Sequence, residues 1–366
     1  MGLTDEFLLD PDVVFLNHGS FGACPQAVLE EYQRWQLELE RRPVEFLARR
    51  LDGLLAEARR ALGDYLGARA DDLVFVPNAT TGMNVVARSL RLGPEDEVLT
   101  TDLEYGAVDY TWDATGARVV RAPLASLWSH VTGATRVLSV SHVASPTGEI
   151  LPVAELCARA RDLGLLAVVD GAHAPGHVPV DLTLMGADAY AGNAHKWLCA
   201  PKGAGFLWAR PELQERLDPL VVSWGWPETE FVKRHGWQGT RDPAAFLSVP
   251  AAIEFQRERG WDAVRDRCHA LVERFVAECG LPSSATEFGQ MVAVELPPCD
   301  PEELQRHLYD EHRIEVPCFE HAGRPLLRLS VRGYNDESDV EKLVEAMRLA
   351  GIEPATSRSG GARSIP

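Results

Sequence analysis

Residues 190–210 read YAGNAHKWLCAPKGAGFLWAR, and this stretch decides how the rest of the chain is interpreted. Two short apolar runs typical of strands buried in a sheet flank its centre: ADAYAG (187–192), which begins just before the stretch, and GAGFLWA (203–209). Between them stands Lys196, a residue type that proteins seldom bury. A lysine in a dry pocket has a lowered pKa, because desolvation penalises the ammonium form, and it becomes a nucleophilic amine. The alternative, for a lysine taken alone, is a surface residue whose charged end reaches water.

Similar apolar runs recur on the N-terminal side of this stretch and alternate with segments of helical character. The strands predicted in this part are 72–76, 97–101, 117–122, 135–142, 165–170, 187–192 and 203–209, and the helices between them are 80–90, 106–115 and 153–163. Buried strands that alternate with helices predict an α/β fold, with a parallel or mixed sheet that has helices on both faces.

The order of elements changes from about residue 246. Here the pattern predicts helices over 250–258, 262–279, 301–311 and 336–350 and strands over 290–296, 313–317 and 326–331. This is a small C-terminal α+β domain. The predicted organisation is an N-terminal arm (1–20), a large domain (21–245), a small domain (246–352) and a disordered tail (353–366).

Composition and charge exclude several classes of function. The chain has 366 residues, with 54 acidic against 36 basic residues and a net charge of −18, which repels nucleic acid and anionic membranes. No apolar run is long enough to predict a membrane span, and the acidic N-terminus does not resemble a signal peptide. The seven cysteines have no metal-like spacing and indicate reduced thiols of a cytoplasmic protein, with no metal site.

The segment after the first predicted strand has the character of a phosphate site. It reads PNATTGMN (77–84), so that Asn78, Ala79, Thr80 and Thr81 open a helix. A helix N-terminus offers free N–H groups and a positive dipole end, and in open α/β sheets ligands bind outside the carboxyl ends of the strands. The alternative is that Asn78 or a threonine only caps the helix.

A carboxylate closes the predicted strand 165–170. Asp170 directly follows LLAVV, where it needs a cation or hydrogen-bond donors, either from an Asx turn or from a protonated ring nitrogen. His173 is predicted to face the same pocket. A phosphate site, this carboxylate and Lys196 match, in order along the chain, the phosphate, ring nitrogen and aldehyde of pyridoxal phosphate.

On these residues the chain resembles, over roughly residues 13–350, the fold-type-I pyridoxal-phosphate enzymes of the class V aminotransferase and cysteine desulfurase superfamily. The resemblance implies that fold, with a mixed, mostly parallel seven-stranded sheet in the large domain and a small C-terminal α+β domain. It also implies pyridoxal 5'-phosphate as cofactor and chemistry at the Cα of an amino acid joined to the cofactor through a Schiff base. NAHKW implies that Lys196 carries the cofactor and that His195 contacts its phosphate. DGAHA implies that Asp170 pairs with the ring nitrogen and that His173 lies near the ring hydroxyl. NATTG implies a phosphate turn.

Three further motifs extend the resemblance. DLEYGA implies that Tyr105 takes the place of a histidine that stacks on the ring. WQGTRD (237–242) resembles a loop that reaches the phosphate of the partner subunit, which implies that Gly239 and Thr240 complete the neighbour's site in a homodimer. LLRLSVRGYN implies that Arg328 binds the α-carboxylate of the substrate, a bidentate contact that suits arginine.

Within the superfamily, FLNHGSFGACP (15–25) and EYGAVDYTW (104–112) resemble the isopenicillin N epimerase-like branch, which also contains C–S lyases. Asn17, His18 and Gly19 then become candidates for the substrate pocket, with a glycine-rich turn as the alternative. Two departures stand out. Ser145 replaces an asparagine of the desulfurases, and the loop with their persulfide cysteine is shortened, which argues against persulfide transfer through Cys318.

The motifs leave the reaction itself open. Epimerisation, transamination and C–S (β-)lyase or desulfurase-like elimination all start from loss of the same proton, and His18, Tyr105 and His173 are equal candidates for a second base. A non-catalytic pyridoxal-phosphate-binding protein is the alternative of another class. A nucleotide-binding enzyme is disfavoured, because PNATTG lacks the glycine-rich turn.

Overall fold

A computed structural model describes residues 3–354. From residue 355 on, the predicted tail lies outside this part of the chain. The strands are β1 (Val14–Phe15), β2 (Leu73–Val76), β3 (Glu97–Thr101), β4 (Arg118–Ala122), β5 (Thr135–Ser141), β6 (Leu166–Gly171), β7 (Ala189–Asn193), β8 (Gly205–Ala209), β9 (Met291–Glu295), β10 (Ile314–Glu315), β11 (Cys318–His321) and β12 (Arg324–Ser330).

Helices connect most of these strands. They are α1 (His18–Phe21), α2 (Gln26–Arg41), α3 (Pro43–Glu45), α4 (Leu51–Leu66), α5 (Ala79–Ser89), α6 (Gly106–Asp113), α7 (Val153–Asp162), α8 (Leu182–Met185), α9 (Pro211–Gln214), α10 (Phe231–Gly236), α11 (Ala244–Leu247), α12 (Val249–Glu258), α13 (Trp261–Cys279), α14 (Pro301–His312) and α15 (Glu337–Leu349). Within residues 3–354, none of them is both long and apolar enough to cross a membrane.

The main sheet has seven strands in the order β2-β8-β7-β6-β5-β3-β4. Only β8 runs antiparallel to its neighbours, and the other adjacent pairs are parallel. Side chains alternate between two apolar clusters: Leu73 and Phe75 belong to one face, and Val74 and Val76 to the other. Because helices cover both faces, the inner strands carry buried apolar side chains on both faces of the sheet. The predicted mixed, mostly parallel seven-stranded sheet is confirmed.

The C-terminal part contains a second, antiparallel sheet in the order β11-β12-β9. The strands of this C-terminal part differ from the prediction in one place. The run predicted over 313–317 is a strand only at β10, and the unpredicted β11 follows it as the outer strand of a hairpin with β12. The N-terminal arm joins this part, since β1 pairs in parallel with β10 and the N–H of Leu3 donates to the Gly333 carbonyl at 3.0 Å.

The predicted division of the chain at residue 246 stays a prediction. Helix α12 lies beyond that boundary, yet it packs against α2 and α4. The chain turns at Gly260, whose φ of +58° suits glycine, before α13 begins. We propose that the boundary between the large and small domains lies at this turn.

Candidate active site

A cavity of about 210 Å³ opens at the carboxyl edge of the parallel strands. Because these ends meet at one edge of the sheet, the loops after β2, β3, β5, β6 and β7 all reach it, together with the N-terminal segment. Its lining residues are Ser20, Phe21, Asn78, Ala79, Thr80, Tyr105, Ser141, Val143, Ser145, Asp170, Ala172, His173, Asn193, His195 and Lys196.

Lys196 lies on the loop that follows β7. Burial, with a smaller contribution from the nearby Arg328 cation, lowers the pKa of Lys196 to about 8, and Asp170 opposes this shift. Two glycines pack against the loop: a Cβ on Gly22 would lie 2.3 Å from the His195 carbonyl oxygen, and one on Gly176 would lie 2.2 Å from that of Trp197. Both glycines have positive φ, so the close approach and the turn each require this residue type.

Asp170 occupies the end of β6 and is only 4% exposed. Its Oδ1 accepts the N–H of Ala172 at 2.8 Å, which is the predicted Asx turn. Its Oδ2 has no hydrogen-bond partner within residues 3–354, and the residue lines the cavity. Burial raises the pKa of Asp170, while the Ala172 N–H and Lys196 act in the opposite direction. The turn and an open acceptor oxygen therefore coexist in one carboxylate.

His173 lies between Lys196 and the protein interior. Its Nε2 is 3.1 Å from Lys196 Nζ, and its Nδ1 accepts the indole N–H of Trp197 at 3.2 Å. Burial, then the positive charges of Lys196 and Arg328, hold the pKa of His173 well below its ordinary value. His173 is therefore a neutral imidazole that contacts the candidate amine directly.

The segment after β2 caps α5 with Asn78. Its Oδ1 accepts the N–H of Thr81 at 2.9 Å and the Thr81 hydroxyl at 3.0 Å. The N–H of Ala79 donates to Asn193 Oδ1 at 2.8 Å. Thr80 alone in this segment lines the cavity with a hydroxyl that makes no hydrogen bond within the described residues. Asn78 therefore caps the helix, as the alternative interpretation predicted. The Thr80 hydroxyl is left without a partner among the described residues and could donate to a ligand in the cavity.

Arg328 adjoins the cavity from β12. Its guanidinium donates to the Ser145 carbonyl at 2.5 Å and to the Ser20 hydroxyl at 3.1 Å, and both serines line the cavity. Its Nε is buried without a partner. Burial lowers the pKa of Arg328 to about 10, although Tyr105 acts in the opposite direction. A buried cation with an unpaired N–H beside a cavity suits an anionic group such as a carboxylate.

The structure places the residues predicted from NHGSFG directly before the two residues of the N-terminal segment that line the cavity. Asn17, His18 and Gly19 do not line it, whereas Ser20 and Phe21 do. His18 is fully buried, with Nε2 3.1 Å from the Lys196 carbonyl oxygen and Nδ1 3.0 Å from the Tyr334 hydroxyl. The N–H of Gly19 donates to Ser330 Oγ at 2.9 Å, and Asn17 Nδ2 donates to Glu315 at 3.2 Å. All three join the arm to the rest of the chain.

The remaining predicted residues differ in their distance from the cavity. His195 lines the cavity. Its Nδ1–H donates to the Ala204 carbonyl at 2.9 Å, so Nε2 is the ring nitrogen that takes no part in this hydrogen bond. Burial lowers the pKa of His195 to about 4. Tyr105 lines the rim and is 49% exposed. Gly239 and Thr240 do not line the cavity of their own chain, and Thr240 is exposed.

Sequence reasoning missed a buried carboxyl group beside the cavity. Glu104 accepts the Thr101 hydroxyl at 2.5 Å and the Ser141 hydroxyl at 2.6 Å, and Ser141 lines the cavity. Burial raises the pKa of Glu104 to about 7, although both hydroxyl contacts lower it. A signal was present in the sequence, because Glu104 comes shortly after the buried strand β3, at the same edge of the sheet as Asp170.

A family model described as Aminotransferase class-V matches residues 20–343. The chain belongs to the aminotransferase class V family. The isopenicillin N epimerase of Streptomyces clavuligerus is 38% identical over 379 aligned positions, which cover 93% of this chain and 95% of that protein. Putative L-cysteine desulfhydrase 1 of Oryza sativa subsp. japonica is 30% identical, over 94% of this chain and 84% of that one. The apo structure of a cysteine desulfurase from Thermococcus onnurineus NA1 shares the fold, with a TM-score of 0.85 at 23% identity and coverage of 95% and 97%.

This class V chain is a pyridoxal-phosphate-dependent enzyme, and the non-catalytic alternative is set aside. The residues at the cavity fit the cofactor by their open hydrogen-bonding capacity. Asp170 Oδ2 is an acceptor without a donor and the Thr80 hydroxyl a donor without an acceptor among the described residues, and both residues line the cavity. Lys196 has a lowered pKa in the same cavity. The group would therefore find an amine beside the neutral ring of His173, a carboxylate with one open oxygen, and a hydroxyl without a partner among the described residues.

Proposed function

We propose that this enzyme epimerises the α-carbon of an amino acid or amino-acid conjugate, with pyridoxal phosphate carried by Lys196. The observation that carries the proposal is one cavity shared by Lys196 and Asp170 and bordered by Arg328, in a chain that aligns over nearly its whole length with an isopenicillin N epimerase. That relative is named for an epimerisation, and the cavity supplies the groups that such a reaction needs.

The protein side of the chemistry follows from three side chains. Pyridoxal phosphate, when bound, supplies an electron sink for the pair of electrons left at Cα after proton loss. Asp170 Oδ2 holds a proton on the ring nitrogen, which keeps that sink positively charged. Arg328 binds the α-carboxylate and so sets which Cα bond faces the base. Lys196 Nζ, neutral above about pH 8, takes the Cα proton.

The contacts with the cofactor extend to the rest of the cavity in this proposal. Thr80 and His195 bind the phosphate, and Tyr105 lies over the ring at the rim. His195 Nδ1 is engaged with the Ala204 carbonyl, so the contact to phosphate uses Nε2.

We also infer a homodimer in which Gly239 and Thr240 complete the partner's site. Support comes from their absence from the cavity of their own chain and from apolar side chains exposed shortly before them: Val222 is 64% and Trp224 86% exposed. Such a patch is typical of an interface. Light scattering after size exclusion is expected to give the mass of two chains, and Trp224→Glu is expected to give one. A single-chain mass for the unchanged protein would contradict the dimer.

Location in the cytoplasm is part of the same proposal. All seven cysteines are free within the described residues, which agrees with a reducing compartment.

A C–S (β-)lyase is the second candidate, favoured by the likeness to the L-cysteine desulfhydrase. Persulfide transfer of the desulfurase kind has less support. Cys318 is 4% exposed on β11, and burial raises the pKa of its thiol, so the thiolate that such a transfer needs is suppressed.

Two experiments test the proposal in turn. Borohydride reduction followed by peptide mapping is expected to yield a pyridoxyl adduct on Lys196, and none in Lys196→Ala. An adduct on another lysine would overturn the assignment of the site.

Turnover in deuterium oxide then separates the reactions. With L- and D-amino acids and conjugates, epimerisation gives deuterium at Cα and the inverted configuration without net loss of amine. Release of ammonia and pyruvate would contradict epimerisation and support the lyase, and a keto acid with aminated cofactor would support transamination.

A further inference from the structure

The hydrogen bonds of His173 are compatible with only one of its two neutral tautomers. An indole N–H is a donor only, so the Trp197 contact requires Nδ1 of His173 to be the acceptor. A neutral imidazole then carries its proton on Nε2. Both the other tautomer and the imidazolium would direct an Nδ1–H at the indole N–H across 3.2 Å. Since Nε2 is 3.1 Å from Lys196 Nζ, the proton it carries lies between these two nitrogens.

We propose that Trp197 is a positioning residue that fixes His173 as the Nε2–H tautomer, so that His173 donates a hydrogen bond to the Lys196 nitrogen instead of accepting one. The proposal rests on the proposed role of Lys196. A nitrogen that accepts this hydrogen bond has to offer a lone pair, and an ammonium group has none. The contact therefore favours the unprotonated lysine by geometry, in addition to the effect of burial.

The surroundings do not allow His173 to change partners. Trp197 is fully buried and stacks on His177, with ring centroids 4.2 Å apart and planes at 27°. The Trp197 carbonyl accepts from Gln256 at 2.8 Å and from the buried Arg332 guanidinium, which holds this part of the loop in place. The indole is thus held from its ring and from its backbone.

Both ring nitrogens of each neighbouring histidine, His18 and His177, also take part in hydrogen bonds. The Nδ1–H of His177 donates to the His173 carbonyl at 3.0 Å, and its Nε2 accepts the Gln290 N–H at 2.8 Å. The Nε2–H of His18 donates to the Lys196 carbonyl, so its Nδ1 accepts from the Tyr334 hydroxyl. Neither ring can accept a proton from Lys196. The other charged groups facing Nζ are Arg328 and Asp170, which act in opposite directions on its proton.

The test removes the indole N–H and leaves the ring. Trp197→Phe is the simple variant, and replacement of Trp197 by 3-benzothienylalanine is the closer one, because sulfur takes the place of the N–H in a side chain of the same shape. If Trp197→Phe does not fold, the isostere decides. Trp261→Phe is the matched control, since Trp261 is also buried but its Nε1 has no hydrogen-bond partner.

The first readout is the tautomer itself. Holoenzyme labelled with ¹⁵N-histidine is measured by NMR, and His173→Gln assigns the resonances of His173. In the unchanged protein and in Trp261→Phe, we expect a protonated Nε2 and an unprotonated Nδ1 from pH 6 to 9. Loss of the indole N–H is expected to shift His173 toward the Nδ1–H form. An unchanged Nε2–H tautomer in the isostere overturns the proposal. This measurement needs no turnover, so its outcome is independent of the borohydride map and of which reaction the enzyme catalyses.

The second readout is the pH midpoint of the cofactor's visible absorbance, which reports the proton at the Lys196 nitrogen. Once Nε2 of His173 becomes an acceptor, the protonated nitrogen gains a partner, and the midpoint is expected to rise by about one pH unit. Trp261→Phe is expected to keep the midpoint of the unchanged enzyme. A tautomer change in His173 without a shift of the midpoint overturns the link from His173 to Lys196.

Discussion

Polar groups on the two sides of Lys196 differ in how completely the protein pairs them. Beneath the loop lies a histidine layer (His18, His173 and His177), in which all six ring nitrogens make hydrogen bonds. At the cavity lies an open set, which consists of Thr80 and Asp170 in the cavity wall and of Arg328, which adjoins the cavity through Ser20 and Ser145; each of these side chains has an atom without a partner in the described residues.

A polar atom that lines a cavity and has no partner in the protein is open to a ligand, and the Thr80 hydroxyl and Asp170 Oδ2 are atoms of this kind among the described residues. We therefore expect the open set to bind the ligand and His18 and His177 to hold the scaffold, while His173, which also lines the cavity, belongs to both regions. Variants of the two groups are expected to separate into kinetic and structural effects.

Asp170→Asn has the largest expected effect on the reaction. We expect kcat to fall about 10²- to 10³-fold, because an amide cannot hold the ring nitrogen protonated. Thermal unfolding of the cofactor-free protein is expected to occur at or above the original temperature, since the amide oxygen keeps the Ala172 contact and no charge is buried. A variant with near-normal kcat would remove Asp170 from the open set.

Arg328→Gln tests the same set through substrate binding. The loss of charge-assisted hydrogen bonds to a carboxylate is expected to raise KM about 10- to 100-fold. Arg324→Gln is the matched control, because Arg324 lies on the same strand but is exposed and paired with Glu295. Equal KM values in the two variants would show that Arg328 does not bind the α-carboxylate.

The amine between the two regions is tested by pH. Reconstitution of cofactor-free protein with pyridoxal phosphate requires neutral Lys196, whose pKa burial lowers to about 8. The rate is expected to rise about tenfold per pH unit and to level off near pH 8. Arg328→Gln is expected to move this midpoint upward, because the Arg328 charge helps to lower the pKa of Lys196. Stopped-flow absorbance measures both, and a midpoint near the ordinary lysine value of 10.5 would contradict the buried amine.

His18→Phe has the smallest expected effect on turnover. The ring volume is kept, but the Lys196 carbonyl and the Tyr334 hydroxyl lose a partner, so the free energy of unfolding is expected to fall by about 2–4 kcal/mol. The kcat of folded holoenzyme is expected to stay close to that of the unchanged protein. A large loss of kcat with unchanged stability would assign His18 to the chemistry.

The histidine layer is also expected to lower the stability of the folded protein at acidic pH. Burial holds the pKa of His18 well below its ordinary value of 6.5 and lowers that of His177 to about 3. A base whose pKa is lowered on folding contributes stability above its unfolded pKa and loses it as the pH falls. The free energy of unfolding should therefore decline below about pH 6.5, by up to about 1.4 kcal/mol per pH unit for each histidine. Denaturant titrations are expected to give a shallower decline in His18→Phe.

The main sheet and the chemistry at its carboxyl edge were predictable because both have local signals. Strands buried on two faces read as apolar runs, and Asp170 and Lys196 each follow such a run. The N-terminal contacts were not predictable in the same way. Whether His18 or Ser20 reaches the cavity depends on the pairing of β1 with β10, about 300 residues away in sequence, and no local pattern encodes that register.

The hairpin of β11 and β12 was missed in part for a related reason. Its outer strand, CFEH, is short and half exposed, so it lacks the apolar run that marks the inner strands. The partners of Arg328 and the burial of Arg332 likewise arise from contacts between distant segments.

The buried Arg332 has a consequence for how substrates enter. It follows Arg328 closely along the chain and donates to the carbonyls of Gly176 and Trp197. Swinging the C-terminal sheet outward would break these fully buried bonds, so we expect the spacing between the guanidinium of Arg328 and the amine of Lys196 to stay the same when substrate binds. We then expect substrate entry to depend on the rotation of side chains at the mouth of the cavity, where Phe21 is 74% exposed. Ligand-bound crystals should differ from ligand-free ones at that ring and not by rotation of one lobe against the other.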